Sequence, residues 1–82
     1  MEKTAPIKKF TTGAISATIW LNAATKDGKE IEYNTVSFER RYKDKEGNWK
    51  SSNSLRQTDL PKALVVLQKA YEHLVLKELQ TT

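Results

Sequence analysis

Residues 36–56 read Val36-Ser-Phe-Glu-Arg-Arg-Tyr-Lys-Asp-Lys-Glu-Gly-Asn-Trp-Lys-Ser-Ser-Asn-Ser-Leu-Arg56. Val36, Phe38, Arg40 and Tyr42 share one side of an extended arm; Ser37, Glu39, Arg41 and Lys43 share the other. Asp44 to Asn48, with Gly47 near its end, supplies a turn, and a serine-rich return strand is expected over Trp49–Gln57. The stretch is therefore a β-hairpin whose two arms interleave cations, rings and small hydroxyl residues. Arg40, Arg41, Lys43, Lys45, Lys50 and Arg56 sit beside Tyr42 and Trp49. Cations neutralise phosphates and flat rings stack on unpaired bases, a combination that points to single-stranded nucleic acid.

Upstream of the hairpin the same period continues. Ile15, Ala17, Ile19 and Leu21 alternate with Ser16, Thr18, Trp20 and Asn22, the pattern of a strand that is apolar on one face. Trp20 then lies on the polar, open face, where a large ring can stack with a base or cover a sheet edge. Phe10 and Thr12 extend this strand backwards, with Gly13 as a bend, a bulge or a break between two strands. Residues 1–9, polar and interrupted by Pro6, are expected to form a flexible N-terminal arm, leaving 10–80 as one domain. Asp27-Gly28 is a tight-turn signal, and a second strand is expected from about Glu30 to Lys43. Its apolar parity slips between Ile31 and Tyr33 on one side and Val36 and Phe38 on the other, which predicts a bulge near Asn34 or Thr35.

Downstream, Asp59 and Pro61 mark a helix start. Leu60, Leu64, Leu67, Tyr71, Leu74 and Val75 recur at helical spacing, and Ala63, Val66, Ala70, Leu76 and Leu79 widen the stripe. One small sheet does not need so broad an apolar surface. Ala63, Val66, Ala70 and Leu76 are accordingly expected to face a second copy in a homodimer.

Eighty-two residues make one small domain, and such a chain gains from dimerising. The absence of cysteine removes disulfides and thiolate metal sites. No apolar stretch approaches the ~20 residues that span a bilayer, and no signal-peptide core follows the N-terminal lysines, so a soluble, cytoplasmic protein is expected. The net charge of +4 is concentrated: residues 36–58 hold six basic and three acidic side chains, while residues 59–82 are balanced. A lysine-rich surface that only maintains solubility is the plainer alternative.

Catalytic chemistry is not indicated. His73 is the single histidine, lies within the helix between Glu72 and Leu74, and has no cysteine or second histidine to complete a metal site, so a packing or surface role is expected. Glu30 and Glu32 share a strand face without a partner acid. Gly13, Gly28 and Gly47 match no phosphate-cradling loop. An enzyme, a metal, a cofactor and a small-molecule substrate are therefore not expected.

The order of elements, hairpins first and then one helix begun by an Asp, resembles the positive cofactor four family of transcriptional coactivators and its Whirly-type relatives. The resemblance spans roughly Val36 to Leu79 and is best over Glu39-Arg-Arg-Tyr-Lys-Asp-Lys-Glu-Gly-Asn-Trp-Lys50. The segment Gly13-Ala-Ile-Ser-Ala-Thr-Ile-Trp20 is similar to small uncharacterised prokaryotic proteins of the same fold. The resemblance implies a curved antiparallel sheet backed by a helix, a homodimer, and single-stranded DNA bound across the sheet. Carried onto this chain, the binding positions are Arg41, Lys43, Lys45, Trp49, Lys50 and Arg56.

The expectation is thus an α+β domain: a curved antiparallel sheet of three to four strands, then one long C-terminal helix. It binds single-stranded DNA, or RNA, as a homodimer with little sequence preference, through Trp20, Arg40, Arg41, Tyr42, Lys43, Lys45, Trp49, Lys50 and Arg56. The alternative is a protein-interaction module without nucleic-acid affinity, whose working surface is the apolar helix.

Overall fold

The computed structural model describes residues 3–76. Four strands, β1 Lys3–Thr12, β2 Ile15–Lys26, β3 Lys29–Lys43 and β4 Trp49–Ser52, precede a 3₁₀ turn at Gln57–Asp59 and a helix, α1 Leu60–Val75. The strands form one antiparallel sheet in the order β1-β2-β3-β4, so the layout is α+β with the helix last.

Turn chemistry sets the sheet. Asp27 and Gly28 both adopt positive φ, 52° and 76°, as a two-residue hairpin of the favoured mirror-image type requires. Lys26 and Lys29 close that hairpin as partners. Gly13, at φ 59°, begins the tight connection from β1 to β2. The third turn is held by one side chain: Asp44 Oδ1 accepts from the backbone N–H groups of Glu46 and Asn48, each at 2.9 Å. β4 is shorter than the return strand expected from sequence and ends at Ser52.

Three register features differ from expectation. From Lys3 onward the supposed arm is strand β1, paired with β2 as far as Lys3 opposite Ala23. Pro6 is tolerated there because β1 is an edge strand, whose open side needs no ladder donor. The bulge lies in β1, between Pro6 and Lys8, and not in β3. The β2–β3 register runs unbroken from Ile15 opposite Arg40 to Lys26 opposite Lys29. Ile31 and Tyr33 therefore point to the face opposite Val36 and Phe38, and both are exposed. No slip is forced because no element among the described residues covers that part of the sheet, so neither face needs an apolar set.

The core is small. Ile15, Ala17 and Ile19 of β2 meet Ala63, Val66 and Ala70 of α1, with Phe10, Phe38 and Leu55 packed around them. Full burial of a Val or Ile side chain contributes about 1.5–3 kcal/mol each, so Ile15, Ile19 and Val66 carry much of the hydrophobic stability. Ala63, Val66 and Ala70 are thus buried against their own sheet and unavailable to a second copy, which corrects the expected interface. Small side chains at these positions allow the helix to approach the strands closely. The leucine-rich stripe is turned out instead: Leu60, Leu64, Leu67, Tyr71, Leu74 and Val75 are exposed, as is Leu76. Leu79 lies outside the described residues.

Asp59 fastens the helix start to the sheet. It is the N-cap of α1, but its carboxylate turns back instead of capping the helix. It accepts from Arg56 N–H at 2.9 Å and from Arg56 Nε at 3.2 Å, and pairs with Arg40 Nε at 3.4 Å. Arg40 Nε also donates to the Ser54 carbonyl at 3.0 Å. One buried carboxylate therefore joins β3, the linker and α1. The Arg56 backbone bond, then the Arg56 side chain, hold the Asp59 carboxyl below the usual aspartate range.

Beyond the helix the β2–β3 hairpin continues without cover from any described residue. The Cα radius of gyration is 16.1 Å. A compact chain of this length would have about 12 Å.

Candidate functional site

The sheet face away from α1 is built in cross-strand rows. Lys43 lies opposite Trp49, and Arg41 opposite Ser51. Next come Thr11, Ser16 and Glu39, then Lys9, Thr18 and Ser37, then Pro6, Trp20 and Thr35. Alternation places all these side chains on one face because the β2–β3 register never slips.

At one end, Trp49 is 59% exposed and flanked by two cations. The Arg41 guanidinium lies 5.4 Å from its ring centroid and the Lys43 ammonium 5.3 Å. Cation–ring attraction at such distances orients the side chains and leaves charge next to a flat apolar surface. A concavity of about 560 Å³ opens beside them, lined by Arg41, Trp49, Lys9, Thr11 and the Gly13-Ala14 turn.

Trp20 lies further along. Its indole N–H donates to Ser37 Oγ at 2.8 Å, which pins the ring across β3. A polar rail follows: Thr4 Oγ1 donates to Asn22 Oδ1 at 3.1 Å, and Asn22 Nδ2 donates to Thr35 Oγ1 at 3.0 Å. Trp20 and Arg41 are separated by about 20 Å along the strand at ~3.3 Å per residue. Lys9 lines both the hollow at Trp20 and the one at Trp49, and so joins them.

The sequence-expected residues divide. Trp20, Arg41, Lys43 and Trp49 come together on this outer face. Tyr42 and Lys50 pair with each other on the helix side of the sheet. Lys50 there contacts Asp44 Oδ2 at 3.6 Å. Arg40 is also on the helix side, stacked on Tyr42 at 5.1 Å and largely buried against Asp59. Arg56 is engaged with Asp59, its side chain otherwise in solvent. Lys45 projects from the third turn. Arg40, Arg56, Tyr42 and Lys50 are thus spent on structure or face away from the tryptophans, because a strand shows every second residue to each side.

Lys9 is the candidate functional residue that sequence reading misses, because residues 1–9 read as an arm. The signal was the Lys9-Phe10-Thr11 alternation, with Phe10 inward and its neighbours outward. Glu39 is the acidic member of the face, half-buried opposite Ser16.

Elsewhere the chemistry is sparse. His73 is exposed and meets Phe10 edge-on, with ring centroids 6.1 Å apart. Among the described residues no group of three or more His, Cys, Asp or Glu side chains is placed to hold a metal, and no helix is long and apolar enough to cross a membrane. Comparison with protein-family models, with curated proteins and with solved structures finds no match to this chain.

Proposed function

We propose that this chain binds single-stranded nucleic acid, DNA in the first place, with little sequence preference and as a cytoplasmic homodimer. The observation that carries this reading is the outer face, where Trp49 between Arg41 and Lys43 is linked through Lys9 to Trp20. Phosphates would meet Lys9, Arg41, Lys43 and Lys45, and bases would stack on Trp20 and Trp49. A strand of nucleic acid lies well on an open sheet face, whereas a duplex keeps its base faces stacked on one another and leaves none for the tryptophans. The sheet-then-helix order is also the one that the resemblance to the positive cofactor four family implies, and membership of that family is part of the proposal. The role is that of a binding protein in transcription or DNA maintenance, without a reaction of its own.

Fluorescence anisotropy with a labelled oligonucleotide, single-stranded and as a duplex, at two salt concentrations tests this. The single strand is expected to bind more tightly, with affinity falling as salt rises. Equal binding of both forms, or none at low salt, would sink the reading.

A second reading draws on the exposed leucines of α1, which suit a protein-interaction module. In that case Leu64→Ser with Tyr71→Ser abolishes a protein contact, and Arg41→Ala with Lys43→Ala changes nothing.

A further inference from the structure

β3 is long and only partly paired on its outer side. β4 covers Arg40–Lys43 alone, so among the described residues the segment 29–39 bonds to β2 and has no strand paired on its other edge. Arg41 N–H donates to the Ala14 carbonyl at 2.9 Å, which turns the backbone groups of odd-numbered β3 residues toward β2. By alternation, the N–H and C=O groups of Glu30, Glu32, Asn34, Val36 and Phe38 point out of the sheet.

The two edges of the sheet are treated differently. β1 carries the guards that discourage edge-to-edge pairing: Pro6, a bulge between Pro6 and Lys8, and Lys3, Lys8 and Lys9. The free edge of β3 also carries charges, Lys29, Glu30, Glu32 and Glu39, but it has no proline and no bulge, and its register is regular throughout. Side chains on both of its faces are exposed from Ile31 to Ser37.

We propose that this open edge pairs with the same edge of a second copy, antiparallel, about a two-fold axis at Asn34. The slot is bounded by β4 at one end and by the Asp27-Gly28 turn at the other. The strand that would fill it is the same segment of the second copy, so its length matches without overhang. In this register Asn34 meets its own counterpart, Glu32 meets the partner's Val36, and Glu30 meets the partner's Phe38. Outward-pointing groups therefore meet outward-pointing groups, and about ten backbone hydrogen bonds form. Lys29 falls opposite the partner's Glu39, giving an opposite-charge pair at each end of the ladder. A shift of two residues either way loses both pairs and leaves part of the slot empty. Parity is preserved, so the two outer faces become one continuous surface, carrying both copies of Trp20. This pairing rests on the homodimer in the proposed function and is independent of nucleic-acid binding.

The chain has no cysteine, so an introduced thiol reports cleanly. Paired strands place opposed Cα atoms about 5.5 Å apart, within the range that a disulfide spans. Asn34→Cys under mild oxidation is expected to give a covalent dimer on a non-reducing gel, with intact secondary structure, and Leu64→Cys on the exposed helix face is expected to stay uncrosslinked. Absence of the Asn34 link overturns the pairing, whatever Leu64→Cys does. Glu32→Pro removes one outward N–H while sparing the ladder to β2. It is expected to halve the mass seen by light scattering and to leave the far-ultraviolet circular dichroism unchanged; a folded variant that stays dimeric overturns the proposal. A wild type that is monomeric at tens of micromolar overturns it as well. Failure of the oligonucleotide experiment alone leaves these outcomes in place, so the two readings fail separately.

Discussion

The two ends of the β2–β3 hairpin have similar backbones and different surroundings. Near Ile15 and Phe38 one face is roofed by α1, and Ile15, Ala17 and Ile19 are completely buried. Near Lys26 and Lys29 the same two strands continue with both faces in solvent, and Ile31 and Tyr33 are exposed on them. The pairing is equally regular at both ends. Strand length is therefore not set by the core; turn geometry, backbone hydrogen bonds and the Thr4–Asn22–Thr35 side-chain bonds carry the hairpin past its own hydrophobic support. A ribbon of that kind is weakly stable by itself, and its open edge and flat outer face are what remain available for partners.

This contrast is broken most severely at the roof. Val66→Asp puts an unpaired charge into the core, where breaking such an environment costs about 3–5 kcal/mol, and is expected to abolish the cooperative thermal transition. Leu64→Asp, on the same helix but 69% exposed, is expected to melt within a few degrees of wild type. If Leu64→Asp were the damaging one, the helix would be packed on its leucine face and not on Ala63, Val66 and Ala70.

The strands provide a gentler version. Ile19→Ala is expected to cost about 2–5 kcal/mol in urea unfolding. Ile31→Ala, on the uncovered end of the same hairpin, is expected to stay within about 0.5 kcal/mol when measured on a monomeric background such as Glu32→Pro. Equal costs would mean that the far end has a hydrophobic cover in solution.

Acid probes the fastening of the roof. Asp59 has a folded pKa below its unfolded value, so its stabilising effect is complete above the unfolded pKa of about 3.9 and is lost as pH falls through the lower folded value. Glu72, lowered by its bonds from Gln68 and Lys69, contributes with the same sign. Asp59→Asn is expected to lower stability at neutral pH and to flatten the acid limb of the stability curve. An unchanged acid limb would remove Asp59 from that role.

The smallest effect on stability is expected on the outer face. Arg41→Ala with Lys43→Ala should shift unfolding by no more than about 0.5 kcal/mol. It should also weaken single-strand binding and reduce the salt slope by about 1.4, if each cation releases its share of counterions. The paired change Arg40→Ala should behave in the opposite way, costing stability through Asp59 before it costs affinity.

Much of the chain was legible in its residues. Alternation from Ile15 to Leu21 located the buried face of β2, and Asp27-Gly28 and Asp44 with Gly47 located two turns. Arg41, Lys43 and Trp20 followed from the same parity onto one face, and Trp49 joined them only through the β3–β4 register. The misses share a cause. Lys3 to Lys9 carries too little apolar pattern to declare a strand, because an edge strand with an uncovered end needs none. The parity change after Tyr33 looked like a bulge only under the assumption that every apolar residue must be buried.

By itself, the sequence determined the periods of β2 and α1, the turns that require positive φ, the α+β order and the placement of cations beside rings. Those are local properties, written in neighbouring residues. Tertiary structure alone decided which helix face meets the sheet, since α1 has apolar residues on two faces and only packing distance chooses the small ones, Ala63, Val66 and Ala70. It also decided that Arg40, on the covered face, is spent on Asp59, because that pairing depends on where a helix distant in sequence comes to rest across the strand.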